Sequence, residues 1–288
     1  MRIALFVALL AMEMGAAASP MPRAAIADPP RDAAYPTHNQ QLLIPSHGLG
    51  MNAVLFQASG KGPHPTVILM HGLPGNERNL DLAQAIRRAG WDVLTFTYRG
   101  AWGSPGDFSI TNAMADTSAA LDFARSPEAT KLGIDSRHIV LAGHSMGGAT
   151  AFMTATQTSG LDGLILIDAW NIDGKNSKGA DTHETLVKGF DDFGNALHGA
   201  TPETVADEVI ARRSGWNLVA AAVKLPRLPI LTVNARYGIG AENQPVTNAL
   251  RKAGAQVTAV TIDSDHSFTD HRIALAATVI GWLQRLGR

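Results

Sequence analysis

The chain has 288 residues, a formal net charge of -1, and 45% hydrophobic against 17% charged residues. This composition fits a folded globular chain rather than a disordered one, and near-neutral charge without a Lys/Arg run argues against nucleic acid as a main partner. The chain has no cysteine, so disulfides, thiolate metal sites and a cysteine nucleophile are excluded.

The first residues read as an export signal. Arg2 precedes the apolar run Ile3 to Met12, and small residues follow from Gly15 to Ser19. The pattern predicts a signal peptide over 1–18, cut after Ala18, and a periplasmic or secreted product; Glu13 is an irregularity in it. No later run reaches the roughly 18 apolar residues of a spanning helix, so no membrane span is expected in the mature chain. Residues 19–40, rich in Pro and Ala, read as a flexible lead-in.

Two extended stretches, Gln41 to Ile44 and Asn52 to Gln57, flank the turn residues His47, Gly48, Leu49 and Gly50 and predict a hairpin. The pattern then alternates. Strands are expected at Thr66 to Met70, Trp91 to Thr97, Arg137 to Ala142, Leu161 to Ile167, Pro229 to Asn234 and Gln256 to Ile262. Helices are expected at Leu80 to Ala89, Asn112 to Arg125, Gly148 to Gln157, Val246 to Ala253 and His271 to Leu286. Continuous apolar strands separated by helices imply a parallel sheet buried on both faces. One interval, about 171–228, holds no strand. A helix is expected there over Glu203 to Val223, and we read the interval as a cap over the strand ends, where such sheets bind ligands.

Gly143-His144-Ser145-Met146-Gly147 follows a predicted strand and opens a predicted helix. That is the setting of a G-x-S-x-G turn, which lifts a strained serine clear of the sheet and sets it at a helix N-terminus that favours negative charge. Ser145 is the expected nucleophile. A serine hydroxyl needs a base, and His266 follows the last predicted strand. An oxyanion needs two backbone N–H groups. Met146 supplies one, and the segment His71-Gly72-Leu73-Pro74-Gly75 the other. No His/Asp/Glu cluster has ligand spacing and no Gly-rich loop matches a nucleotide pattern, so neither a metal nor a cofactor is expected.

These residues carry a resemblance. His71-Gly72, Tyr98-Arg99-Gly100 with Gly103-Ser104, the elbow at Ser145, and Asp265-His266-Ser267-Phe268 run in the order of the α/β-hydrolase superfamily, and the chain resembles its bacterial esterase and lipase-like branch. The resemblance implies an α/β-hydrolase fold, a mostly parallel sheet with helices on both faces and a small helical cap. It assigns His266 as base and Leu73 as the second oxyanion donor; Pro74 has no N–H to offer. It implies hydrolysis of carboxylic esters through an acyl-enzyme, with a small ester as partner. An amidase or peptidase, an acyl transferase or perhydrolase, and a non-catalytic binding protein are the rivals. The acid stays open. The family's usual offset, Asn234 to Glu242, holds no Asp; Glu242 is one candidate and Asp168, at a strand end, the other, with Asp173 and Asp263 behind them. Among the other histidines, His71 is expected to order the oxyanion segment, His144 to pack behind the elbow and His271 to bond locally. Arg99 is expected to bridge loops, and Trp170 and Trp216 either to pack in the core or to wall the acyl pocket.

Overall fold

The opening hairpin pairs β1 (His38–Ser46) with β2 (Leu49–Gln57) antiparallel, His38 opposite Gln57 and Ser46 opposite Leu49. In this computed structural model, which describes residues 20–286 apart from 177, 178, 192, 194 and 226, the hairpin forms one edge of an eight-stranded sheet. The export signal read at 1–18 lies outside the described residues. Next come β3 (His64–Met70), α1 (Leu80–Arg88), β4 (Asp92–Phe96), α2 (Ile110–Ala124), a short α3 (Pro127–Lys131), β5 (Ile134–His144), α4 (Met146–Ala155) and β6 (Gly163–Ile167). A two-stranded ribbon, β7 (Lys175–Asn176) and β8 (Gly179–Ala180), leads into α5 (His183–Gly189), α6 (Pro202–Arg212) and α7 (Leu218–Ala221). The chain closes with β9 (Pro229–Tyr237), α8 (Gln244–Lys252), β10 (Gln256–Asp265) and α9 (Arg272–Leu286).

The sheet order is β1-β2-β4-β3-β5-β6-β9-β10, parallel from β4 to β10. All of β4 and β6 is buried, as two covered faces require. On one face Val67, Leu69, Val140 and Ile165 pack with Leu82 and Ile86 of α1 and Leu275 and Val279 of α9. On the other, Ile68, Met70, Leu141 and Leu164 pack with Leu121 of α2, Phe152 of α4 and Leu250 of α8. Each such buried side chain contributes about 1.5–3 kcal/mol through lost apolar hydration.

Several expectations shift. The lead-in is not free of structure: a 3₁₀ turn at Arg23–Ala25 contributes Ala25 to the core beside α1 and α9, and Arg88 donates to the Ala24 carbonyl at 2.8 Å. The long cap helix is broken into α6, a 3₁₀ turn at Arg213–Trp216, α7 and a 3₁₀ turn at Ala222–Lys224. Asn217 caps α7 by accepting from the Ala220 N–H at 2.8 Å, so a new helix starts there. Among the described residues no helix is long and apolar enough to cross a membrane.

The cap is tied to the sheet's loops. Ala101 pairs with Leu197, the Trp102 N–H donates to Ala196, and the His198 N–H donates to Gly100 at 2.7 Å. Glu208 of α6 accepts from the N–H groups of Ile110 and Thr111, 2.8 and 2.9 Å away, capping the start of α2. Arg99 is buried against Asp116 of α2 at 2.6 Å, and Asp116 also accepts from Ser46. Its bridge therefore joins the loop after β4 to α2 and β1.

Candidate active site

Ser145 sits between the last residue of β5 and the first of α4 with φ 56° and ψ −122°. A non-glycine residue there is strained, and the surroundings hold it. Its N–H donates to Ile167 at 3.0 Å, and its carbonyl accepts from Trp170 at 2.9 Å. The elbow needs glycine because a Cβ on Gly143 would run into the Gly147 carbonyl, and one on Gly147 would lie 2.5 Å from the His71 carbonyl. Asn79, Trp102, Asp168 and Phe268 also have positive φ, so five of the seven such non-glycine residues described lie in the loops around this site. Concentrated strain of this kind marks a pre-organised region.

The segment after β3 closes on the serine. A Cβ at Gly72 would lie 2.9 Å from the Ser145 Cβ, so only glycine permits this approach. Three side-chain contacts fix the segment. His71 Nδ1 donates to the Gly72 carbonyl at 2.7 Å, Tyr98 Oη donates to the His71 carbonyl at 3.2 Å, and Trp102 Nε1 donates to the Pro74 carbonyl at 2.9 Å. Among the described residues no hydrogen bond engages the N–H of Leu73 or Met146. Burial pushes the His71 ring down to about 4, so it stays neutral and keeps its Nδ1 proton for Gly72.

His266 directly follows β10, and its Nδ1 lies 2.7 Å from Asp168 Oδ2. Asp168, just past β6, is fully buried, whereas the histidine side chain is 37% exposed. The carboxylate also accepts from the Ala235 N–H through Oδ1 and from the Ile239 N–H through Oδ2, both at 2.9 Å. These bonds compensate its desolvation. The end of β9 and the loop after it, where the family's usual acid would stand, therefore supply the N–H donors to Asp168. Gly238 makes this possible, because a Cβ there would collide with Asp168 Oδ2.

The other acid candidates lie elsewhere. Glu242 occupies a 3₁₀ turn at Gly240–Asn243 and makes no hydrogen bond to His266. Burial and the charges of Asp181 and Asp168 push its carboxyl up. Asp173 bonds Asn217 at 2.7 Å inside the cap, and Asp263 pairs with Arg236 at 2.5 Å.

His144 is buried behind the elbow, its Nε2 donating to the His266 carbonyl at 2.8 Å and its ring centroid 4.6 Å from that of His266. Burial and the neighbouring His266 lower it to about 4. His271 pairs with Asp270 at 2.9 Å. Trp170 meets Phe190 edge-on at 6.0 Å, and Phe190 stacks on Phe193 at 5.4 Å, so the cap brings an aromatic cluster beside the serine's backbone. Trp216 is partly buried against the same core. Among the described residues no group of three His/Cys/Asp/Glu could hold a metal ion. Sequence reasoning missed Arg272, whose role in the His266 loop is invisible without the distant residues it meets.

A strained serine at a strand-to-helix turn, a histidine after the last strand and a buried carboxylate against it define a hydrolase-type site on an α/β sheet. The profile of the alpha/beta hydrolase family matches residues 67–278, and the chain belongs to that family. It is 29% identical to an uncharacterized protein of Mycobacterium tuberculosis over 130 residues, 45% of each chain. It is 41% identical to a sn-1-specific diacylglycerol lipase of Xenopus tropicalis over 102 residues, 34% of this chain and 29% of that protein. These matches span less than half the length of either relative. The fold is similar to that of an esterase of Pyrobaculum calidifontis, with TM-score 0.68 and 19% identity over 88% of both chains. It is also similar to a thermostable carboxylesterase, EstE1, from a metagenomic library, with TM-score 0.62 and 19% identity over 89% of this chain and 90% of that one.

Proposed function

We propose that this protein is a serine hydrolase of carboxylic esters, with Ser145, His266 and Asp168 as its triad. The observation that carries the reading is the 2.7 Å contact between His266 Nδ1 and the buried Asp168 carboxylate, in the loops that surround Ser145. It fixes the tautomer. With Nδ1–H donated to Asp168, Nε2 is left as the acceptor for the Ser145 proton.

Ser145 Oγ attacks the acyl carbonyl while His266 Nε2 takes its proton, and Asp168 stabilises the imidazolium. The N–H groups of Leu73 and Met146 bind the oxyanion; the start of α4 adds its dipole. Collapse expels the alcohol with the proton from His266. Water, activated by the same histidine, then cleaves the acyl-enzyme. Esterases among the proteins of similar fold favour esters over amides. Export rests on residues 1–18 alone, and N-terminal sequencing of the native protein tests it.

The experiment is hydrolysis of a p-nitrophenyl ester series from acetate to palmitate by wild type and Ser145→Ala. Turnover lost in the variant with folding intact supports the proposal. Turnover that survives in the variant, or its absence on every ester with wild type, rejects it.

A further inference from the structure

A cavity of about 500 Å³ lies against β1, β2 and β4, with His71 in its wall and none of Ser145, His266 or Asp168 in its lining. That volume falls in the range of small-molecule sites. Val54, Phe56 and Leu69 supply its apolar floor. Its mouth gathers Leu43, Leu80 and Trp102, which are 65%, 38% and 41% exposed. Single exposed apolar residues are ordinary, but three around one cavity form a patch that a ligand would cover.

The cavity has one formal charge. Arg78 lies in its wall with its guanidinium 5.4 Å from the Trp102 ring centroid. Among the described residues no carboxylate pairs with it. The adjacent Glu77 faces Arg272 at 3.8 Å and accepts from the Asn79 N–H instead. His71 is buried and neutral, so it adds no second positive charge. One unpaired guanidinium over an aromatic ring, above an apolar floor, matches a ligand with a single negative head and an apolar body. The planar fork suits a carboxylate, and no further cation is present for a dianionic phosphate.

We propose that this cavity binds a small amphipathic carboxylate, its head on Arg78 and its chain over Leu43, Val54, Phe56 and Leu80. The site is separate from the serine centre and does not depend on the ester-hydrolase reading. It touches that centre through Trp102, whose indole both meets Arg78 and holds the Pro74 carbonyl of the oxyanion segment.

The test titrates the full chain with decanoate and with decanol, by calorimetry and by tryptophan emission. Four proteins are compared: wild type, Arg78→Gln, Leu43→Glu and Trp102→Phe. Leu43 is exposed on the edge strand, so its substitution spares the core. The proposal expects saturable decanoate binding with one site, and decanol at least about tenfold weaker, as loss of one charge-assisted pair implies. Arg78→Gln and Leu43→Glu weaken decanoate about tenfold or more, and Trp102→Phe removes the emission change. No saturable binding overturns the proposal. Equal affinity for decanol overturns the anion assignment. Unchanged decanoate affinity in both Arg78→Gln and Leu43→Glu puts the ligand elsewhere and overturns the site.

Discussion

Arg272 Nη1 donates to the carbonyl of Ser267, one residue beyond His266, at 2.7 Å. Its Nε bonds Asp81 at 2.8 Å and its Nη2 bonds Asn79 at 3.0 Å. One guanidinium thus ties the histidine loop to the start of α1 and to the segment between β3 and α1. Arg272→Gln removes this fork. We expect kcat to fall about tenfold to a hundredfold, as small misplacements of a catalytic group do, with KM nearly unchanged. Arg272→Lys should recover only part, since an ammonium cannot make the fork. Wild-type kcat in Arg272→Gln, or a change confined to KM, would refute the positioning role.

Asp168 and Glu242 are separated by substitution. Asp168 already accepts two backbone N–H bonds besides the one to His266. An Asn there must aim its NH₂ at a donor, on one side or the other. Asp168→Asn should cut kcat by about 10³–10⁴-fold. Glu242→Gln should change it less than about threefold, the range of a small surface-type effect. Gly238→Ala keeps the carboxylate but displaces it, and should lose activity too. Circular dichroism must show each variant folded for the kinetics to count.

The sheet, its strand order along the chain, the elbow and the late histidine were legible because each is local: a burial pattern, a glycine spacing, a turn. The contact of Asp168 with His266 was not, because the carboxylate is held by the N–H groups of Ala235 in β9 and Ile239 in the loop after it, 67 and 71 residues further on. The glycine that makes room, Gly238, reads in the sequence only as part of a turn. The same holds for Arg272, which meets Asp81 across 191 residues. The broken cap helix was misread because Gly215 and Asn217 interrupt an otherwise helical stretch only mildly. Periodicity sees the stretch and not the break.

The buried histidines set an acid limit on stability. His71 and His144 are each lowered to about 4 by burial, while in the unfolded chain they titrate near 6.5. Between these values the unfolded state binds more protons, so stability rises with pH and is lost as pH falls from 6.5 towards 4. Each contributes a slope of up to about 1.4 kcal/mol per pH unit. Urea unfolding at pH 7.5, 6 and 5 should show the fall. His144→Gln should lessen it, because one of the two groups is gone. A wild-type midpoint that stays level from pH 7.5 to 5 would contradict the assignment.

Asp92 works in the opposite sense. It is fully buried at the start of β4, where Oδ1 accepts from the Ala58 N–H at 2.8 Å and Oδ2 has no partner. Burial raises its carboxyl to about 6, although the Ala58 bond and the charges of His64 and His38 pull it down. Between pH 4 and 6 the folded state holds the extra proton, so this residue stabilises the fold at low pH and the contribution is lost as pH rises through 6. Asp92→Asn removes the buried charge and keeps the acceptor for Ala58. At pH 8 the variant should be more stable than wild type by about 1 kcal/mol, because the new NH₂ is itself left unpaired and offsets part of the gain. That advantage should vanish by pH 4, where the wild-type carboxyl is already neutral. Paired urea titrations at the two pH values measure it, and a variant less stable than wild type at pH 8 would mean that the carboxylate is stabilised by a partner at Oδ2.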